Sequence, residues 1–162
     1  MSIIFSGSEL INIAIGIERR GITFYDVMAK STDNKMARAA FEGLVEMERE
    51  HLKAFQDMLT ETGKHQPRET STREYSDYVQ AIIDEAVFTN DMITSEIAMQ
   101  ADSDVKAIEL GISAEKDSLL FYYEMKDNMP QRTVPLVNRI IAEEKSHLQQ
   151  LSEIKKKLAG SE

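Results

Sequence analysis

Residues 44–52 read LVEMEREHL and residues 140–148 read IIAEEKSHL. Laid one on the other without a gap, they superimpose Glu48 on Glu144 and His51 on His147. The chain has only three histidines, so two of them at the same place in a repeat is informative. Residues three or four apart share one face of an α-helix. Ala37, Phe41, Leu44, Glu48, His51, Phe55 and Met58 therefore form one stripe. Val137, Ile140, Glu144, His147, Leu151, Ile154 and Leu158 form its counterpart. Such spacing marks the inward seam of a bundle helix, here interrupted near its middle by a glutamate and a histidine.

The repeat extends upstream. IAIGIERRGITFYDVM (13–28) aligns with LGISAEKDSLLFYYEM (110–125), one residue out of phase with the first pair. Glu18 falls on Glu115, Phe24-Tyr25 on Phe121-Tyr122 and Met28 on Met125. The seams are Ile11, Ala14, Glu18, Ile22, Tyr25 and Ile108, Gly111, Glu115, Leu119, Tyr122. Helical periodicity makes apolar positions agree, but it does not make glutamates and histidines agree. An internal duplication of a helical hairpin is the simplest explanation.

The flanking residues place the helices. The first is expected after Ser8 as N-cap and to run to about Lys30; the second spans about Asn34 to Thr62, with Gly63 as its stop. A polar loop with Pro67 follows, then a shorter helix from Tyr75 to about Val87 and a less regular stretch to Ser103. Ser103 or Asp104 caps the next helix, which ends near Asn128. Pro130 or Pro135 opens the last, which ends near Leu158. The expectation is one domain over 1–162: a hairpin at 8–62, a crossover at 63–103 and a hairpin at 104–159. A helix of about 25 residues is about 38 Å long. A connection of about forty residues suits second and third long helices that run parallel, so that the chain must travel the length of the bundle. The fold class is all-α: a four-helix bundle with one long crossover, the ferritin-like arrangement.

Composition narrows the functions. A net charge of -9 argues against nucleic acid or an anionic membrane as partner. With no cysteine, disulfides, iron–sulfur clusters and thiolate zinc sites are excluded. The opening MSIIFSGSEL lacks a basic n-region and a long apolar run, and no segment approaches the length of a membrane span. A cytoplasmic protein is expected.

Glu46, Glu50, Glu109, Glu124 and Glu143 fall off the seams and are assigned to the solvated face. Glu18, Glu48, Glu115 and Glu144 do not. Burying four ionised carboxylates together costs several kcal/mol or more unless positive charge joins them, and no Lys or Arg lies on the seams. Two divalent cations would neutralise four carboxylates and leave two neutral imidazoles as further ligands. A donor set of Glu and His without thiolate favours iron or manganese, with zinc as another occupant. The candidate metal ligands are Glu18, Glu48, His51, Glu115, Glu144 and His147. Tyr25 and Tyr122 are either core residues or hydroxyls that orient a ligand carboxylate. His65 is given no role, and the nine methionines are read as packing.

With two Glu-x-x-His pairs, two isolated seam glutamates and the paired Phe-Tyr segments, the chain resembles the rubrerythrin-like branch of the ferritin-like di-iron superfamily. The resemblance implies that Glu18 and Glu115 cap two metals, that Glu48 and Glu144 bridge them, and that each histidine binds one. It implies an oxidoreductase that reduces peroxide or dioxygen, or oxidises ferrous iron, with a non-enzymatic iron-binding or storage bundle as the alternative. It also implies a homodimer and a role in oxidative stress. Two departures stand out. Such proteins typically carry a cysteine-rich electron-delivering domain, so a chain without cysteine needs a separate electron donor. They also carry a further glutamate three residues after the third helix's ligand, where this chain has Ser118.

Overall fold

In the computed structural model of the chain, residues 6–62, 73–85 and 103–160 are described. They form five helices: α1 (Gly7–Ser31), α2 (Lys35–Thr62), α3 (Arg73–Glu85), α4 (Asp104–Asp127) and α5 (Val134–Ala159). Helices α1 and α2 pair as one hairpin and α4 and α5 as the other, while α1 meets α4, α2 meets α5, and α3 leans on α4.

The contacts between hairpins fix direction. The end of α1 meets the start of α4, where the Thr32 hydroxyl donates to Asp104. The start of α1 meets the residues just past α4, with Gly7 beside Met129 and Pro130. So α1 and α4 are antiparallel, and α2 and α4 run the same way. The chain must therefore cross the bundle from the end of α2 to the start of α4, and α3 lies within that crossover. The all-α four-helix bundle with a long crossover is what the sequence predicts.

Helix ends differ from expectation where capping chemistry decides. The first helix is capped by Ser6 rather than Ser8. Ser6 accepts from the Glu9 amide and the Glu9 carboxylate accepts from the Ser6 amide, a reciprocal capping box that needs Glu three residues after Ser. Ser8 has Ile11 at that offset. Asn34 caps α2, its side-chain oxygen accepting from the amides of Met36 and Ala37 at 3.0 Å. Ser103 caps α4 by accepting from the Lys106 amide, which leaves Asp104 for Thr32. Pro135 sits in the first turn of α5, while Pro130 lies in the preceding turn. The third helix begins two residues before expectation, at Arg73. The Gly63 stop, the loop with Pro67 and His65, and residues 86–102 lie outside the described residues.

The core is built by the predicted seams. Ile11, Ala14, Phe24, Tyr25, Phe41, Leu44, Phe55, Ile108, Tyr122, Val137, Ile140 and Leu151 are all buried. Burial of each large side chain contributes about 1.5–3 kcal/mol. Gly111 allows a close approach: a Cβ there would stand 3.2 Å from Leu151 Cδ1 and 3.4 Å from Tyr25 Cε1. In the middle of this apolar core, all four bundle helices place ionisable groups.

Candidate metal centre

Glu18 comes from α1, Glu48 and His51 from α2, Glu115 from α4, and Glu144 and His147 from α5. All six are buried, none more than 4 % exposed. Their donor atoms fall into two groups: Glu18, Glu48, His51 and Glu144, and Glu48, Glu115, Glu144 and His147. Within each group one atom per residue lies within 4.8 Å of the others. Glu48 and Glu144 belong to both.

The way they are shared is specific. Glu48 turns Oε2 to His51 Nδ1 at 3.1 Å and Oε1 to His147 Nδ1 at 3.8 Å. Glu144 turns Oε1 to His51 Nδ1 at 3.1 Å and Oε2 to His147 Nδ1 at 2.9 Å. Each carboxylate thus spans both halves, one oxygen to each. Glu18 Oε2 stands 3.6 Å from His51 Nδ1, and Glu115 Oε2 stands 3.6 Å from His147 Nδ1. The imidazole rings lie 5.6 Å apart and near parallel, 23° between planes. The duplicated hairpins are therefore related by an approximate two-fold about the middle of the cluster.

The two tyrosines complete this symmetry by crossing over. Tyr25 of α1 donates to Glu115 Oε1 of α4, and Tyr122 of α4 donates to Glu18 Oε1 of α1. In both outer glutamates one oxygen is held by a tyrosine and the other faces a histidine. Phe24 and Phe121 pack edge-on against the tyrosine that follows each. Phe41 and Phe55, both from α2, pack on Tyr25 and Tyr122. A fully buried tyrosine with its ring fixed and its hydroxyl bonded has little freedom to release the carboxylate it holds.

Charge is concentrated without relief. Burial, then Glu144 and Glu18 nearby, hold the Glu48 carboxyl well above its ordinary range. Burial and Glu115 do the same to Glu144. Burial would also raise Glu115, but the neighbouring His147, Glu144 and Tyr25 outweigh it and leave this carboxyl low. Burial pulls both imidazoles down, yet the surrounding carboxylates win and raise both. Burial raises both tyrosines, as do the adjacent carboxylates, so they stay neutral donors. Without another cation, the cluster keeps protons on Glu48, Glu144 and the imidazoles.

Within the cluster, Glu115 Oε2 and His147 Nε2 are buried with no hydrogen-bond partner among the described residues. An orphaned carboxylate oxygen aimed at a histidine nitrogen, in a set of oxygen and nitrogen donors free of thiolate, fits a bound metal ion. Lys and Arg are absent from the cluster, and a divalent cation could take the place of the protons it otherwise holds.

The sequence misplaced one residue. Glu143 is not simply a solvated side chain: its Oε2 lies 2.9 Å from His51 Nε2, and its side chain is 31 % exposed. Next in sequence to Glu144, it points about a quarter-turn away, toward α2 rather than into the centre. An alternating seam cannot register such a position. The available signal is that Glu-Glu-x-x-His puts a second carboxylate on the edge shared with the neighbouring helix.

A four-helix bundle with a long crossover, whose core gathers carboxylates and imidazoles from all four helices, belongs to the class of ferritin-like carboxylate bundles with a metal site. Comparison with known families agrees: the rubrerythrin family model matches residues 9–155, and the chain belongs to the rubrerythrin family. The fold is also similar to the crystal structure of a protein from Thermotoga maritima classed as a ferritin-like diiron-carboxylate protein, with a TM-score of 0.73 and 26 % identity over 94 % of this chain and 96 % of that one. No curated protein matches the sequence. Among the described residues, no helix is long and apolar enough to cross a membrane.

Proposed function

We propose that the six side chains hold two iron ions and that the protein is an oxidoreductase reducing peroxide or dioxygen with electrons from a separate donor. The observation that carries this reading is the division of Glu48 and Glu144, each giving one oxygen to the His51 half and one to the His147 half. Such sharing suits two ions bridged by two carboxylates, with Glu18 and His51 completing one position and Glu115 and His147 the other. Four carboxylates balance two divalent ions, which removes the repulsion that otherwise keeps protons on Glu48 and Glu144.

When bound, the ion pair supplies a pair of electrons to the oxidant by passing between ferrous and ferric states. The chain's own residues set the conditions. The buried apolar seams exclude bulk water. Tyr25 and Tyr122 hold the outer carboxylates in orientation. With no cysteine in the chain, refilling the site with electrons falls to another protein or a small reductant.

The test is to add peroxide to the anaerobic, ferrous-loaded protein. Oxidation much faster than that of free ferrous ion, with the spectrum of a bridged ferric pair, supports the reading. Oxidation no faster than free iron removes the enzyme. One observation favours a second reading, an iron-binding or storage-related bundle: Ser118, buried one turn beyond Glu115, brings a hydroxyl rather than a further carboxylate to that side. On that reading, removing metal lowers thermal stability while turnover with peroxide and reductant stays negligible.

A further inference from the structure

The approximate two-fold that relates the hairpins breaks at one place beside the cluster. His51 Nδ1 faces the carboxylates and its Nε2 lies 2.9 Å from Glu143 Oε2. His147 Nδ1 also faces the carboxylates, but its Nε2 is buried and has no hydrogen-bond partner among the described residues. In the repeat, Glu143 falls on Met47, which sits half-buried on α2. The operation that carries Glu143 and His51 onto their counterparts thus carries them onto Met47 and His147. A thioether stands where the other half has a carboxylate.

The chemical consequence follows from the tautomer. For Nδ1 to offer a lone pair to a cation, the ring proton must sit on Nε2. In His51 that proton has an acceptor, and an anionic one. Glu143 thereby fixes the tautomer and the ring angle, and its charge makes Nδ1 a better donor. Arg139 Nε, 3.7 Å from Glu143 Oε1, holds the carboxylate from its solvent side. In His147 the same tautomer leaves a buried N–H unmet.

We propose that the two metal positions are unequal, that the position of Glu18 and His51 fills first and more tightly, and that Glu143 is the positioning residue that makes it so. The inference rests on the two-ion reading above. It concerns the order and strength of loading rather than whether metal binds.

Cobalt(II) added to the chelator-stripped full chain is the probe, followed by calorimetry and by the cobalt absorption bands. Mutual repulsion of two ions also spreads binding into steps, so the variants carry the test. The native chain should take up cobalt in two steps. Glu143→Ala should weaken the first by about 10–100-fold and draw the steps together while leaving total uptake unchanged. Glu143→Gln, whose amide oxygen still accepts from Nε2, should recover part of that loss. Met47→Glu should tighten the second step by a similar factor. His51→Ala should abolish the tight step, and His147→Ala should keep it. Full uptake with unchanged steps in Glu143→Ala, or the tight step surviving in His51→Ala, overturns the inference and leaves the two-ion site standing. No uptake by the native chain removes the two-ion reading and the inference with it.

Discussion

Glu115 shows how much of this site is decided by single atoms. Its two oxygens are used differently: one accepts from Tyr25 and the other points at His147 Nδ1 with no hydrogen bond of its own. The tyrosine does not complete a charge; it chooses which oxygen remains for a cation. Removing the hydroxyl leaves a buried carboxylate oxygen unmet, which costs about 1–3 kcal/mol in the metal-free chain. Tyr25→Phe and Tyr122→Phe should therefore each lower the denaturant midpoint. Because both outer glutamates depend on their crossed tyrosine, the double variant should lose metal affinity as well. A double variant with native stability and native metal affinity would show that the hydroxyls do nothing beyond packing.

At the scale of the helix, sequence patterning was most informative where a periodic rule applied. Residues on the seams went into the core because their spacing leaves them no other face. Glu48, His51, Glu144 and His147 were legible for the same reason, and the duplication gave them partners. What the periodic rule missed was off-period. Glu143 belongs to the edge between α5 and α2, which no single-helix pattern describes. The start of α1 depended on the pair Ser6 and Glu9, a contact between two residues rather than a property of either. Ser6→Ala should cost about 1 kcal/mol and lower the melting temperature by about 2–4 °C, whereas Ser8→Ala should change little. Gly111 gives a sharper test of the α1–α4 approach. Alanine there gains about 1 kcal/mol of helix propensity, while overpacking against Leu151 and Tyr25 costs about 1–3 kcal/mol. Both neighbours are fully buried, and Tyr25 is tethered to Glu115. Overpacking should win, and Gly111→Ala should lower the denaturant midpoint; a rise would mean the helices part without strain.

For the molecule as a whole, the bundle holds an electrostatic fault that the apolar core cannot mend. Glu48 and Glu144 bind protons more tightly in the folded chain than their ordinary value of 4.5. Their contribution to stability is complete below that value and is lost as pH rises toward the raised folded values. The imidazoles, raised from 6.5, act in the same direction at higher pH. Glu115, lowered from 4.5, acts oppositely, its contribution lost only as pH falls through its folded value. As pH rises above the ordinary values of 4.5 and then 6.5, the metal-free protein should therefore become less stable. Metal binding displaces the protons, so the loaded protein should gain on the metal-free one over the same rise. Thermal melts of both forms at several pH values check this; a metal-free melting temperature that rises with pH would contradict it. The long crossover was legible at this scale because the end of one helix and the start of a parallel one lie at opposite ends of the bundle and cannot be joined by a short turn. The metal's identity was not, since oxygen and nitrogen donors suit several divalent ions.

The central claim is that a closed core of four glutamates and two histidines is built around metal. Element analysis of the full chain purified without chelator tests it most directly, with single variants alongside. The native chain should carry about two metal ions, Glu48→Ala and His147→Ala clearly fewer, and Glu46→Ala, on the exposed face, as many as the native chain. Fewer than about one ion per native chain, or undiminished metal in Glu48→Ala, would contradict the account.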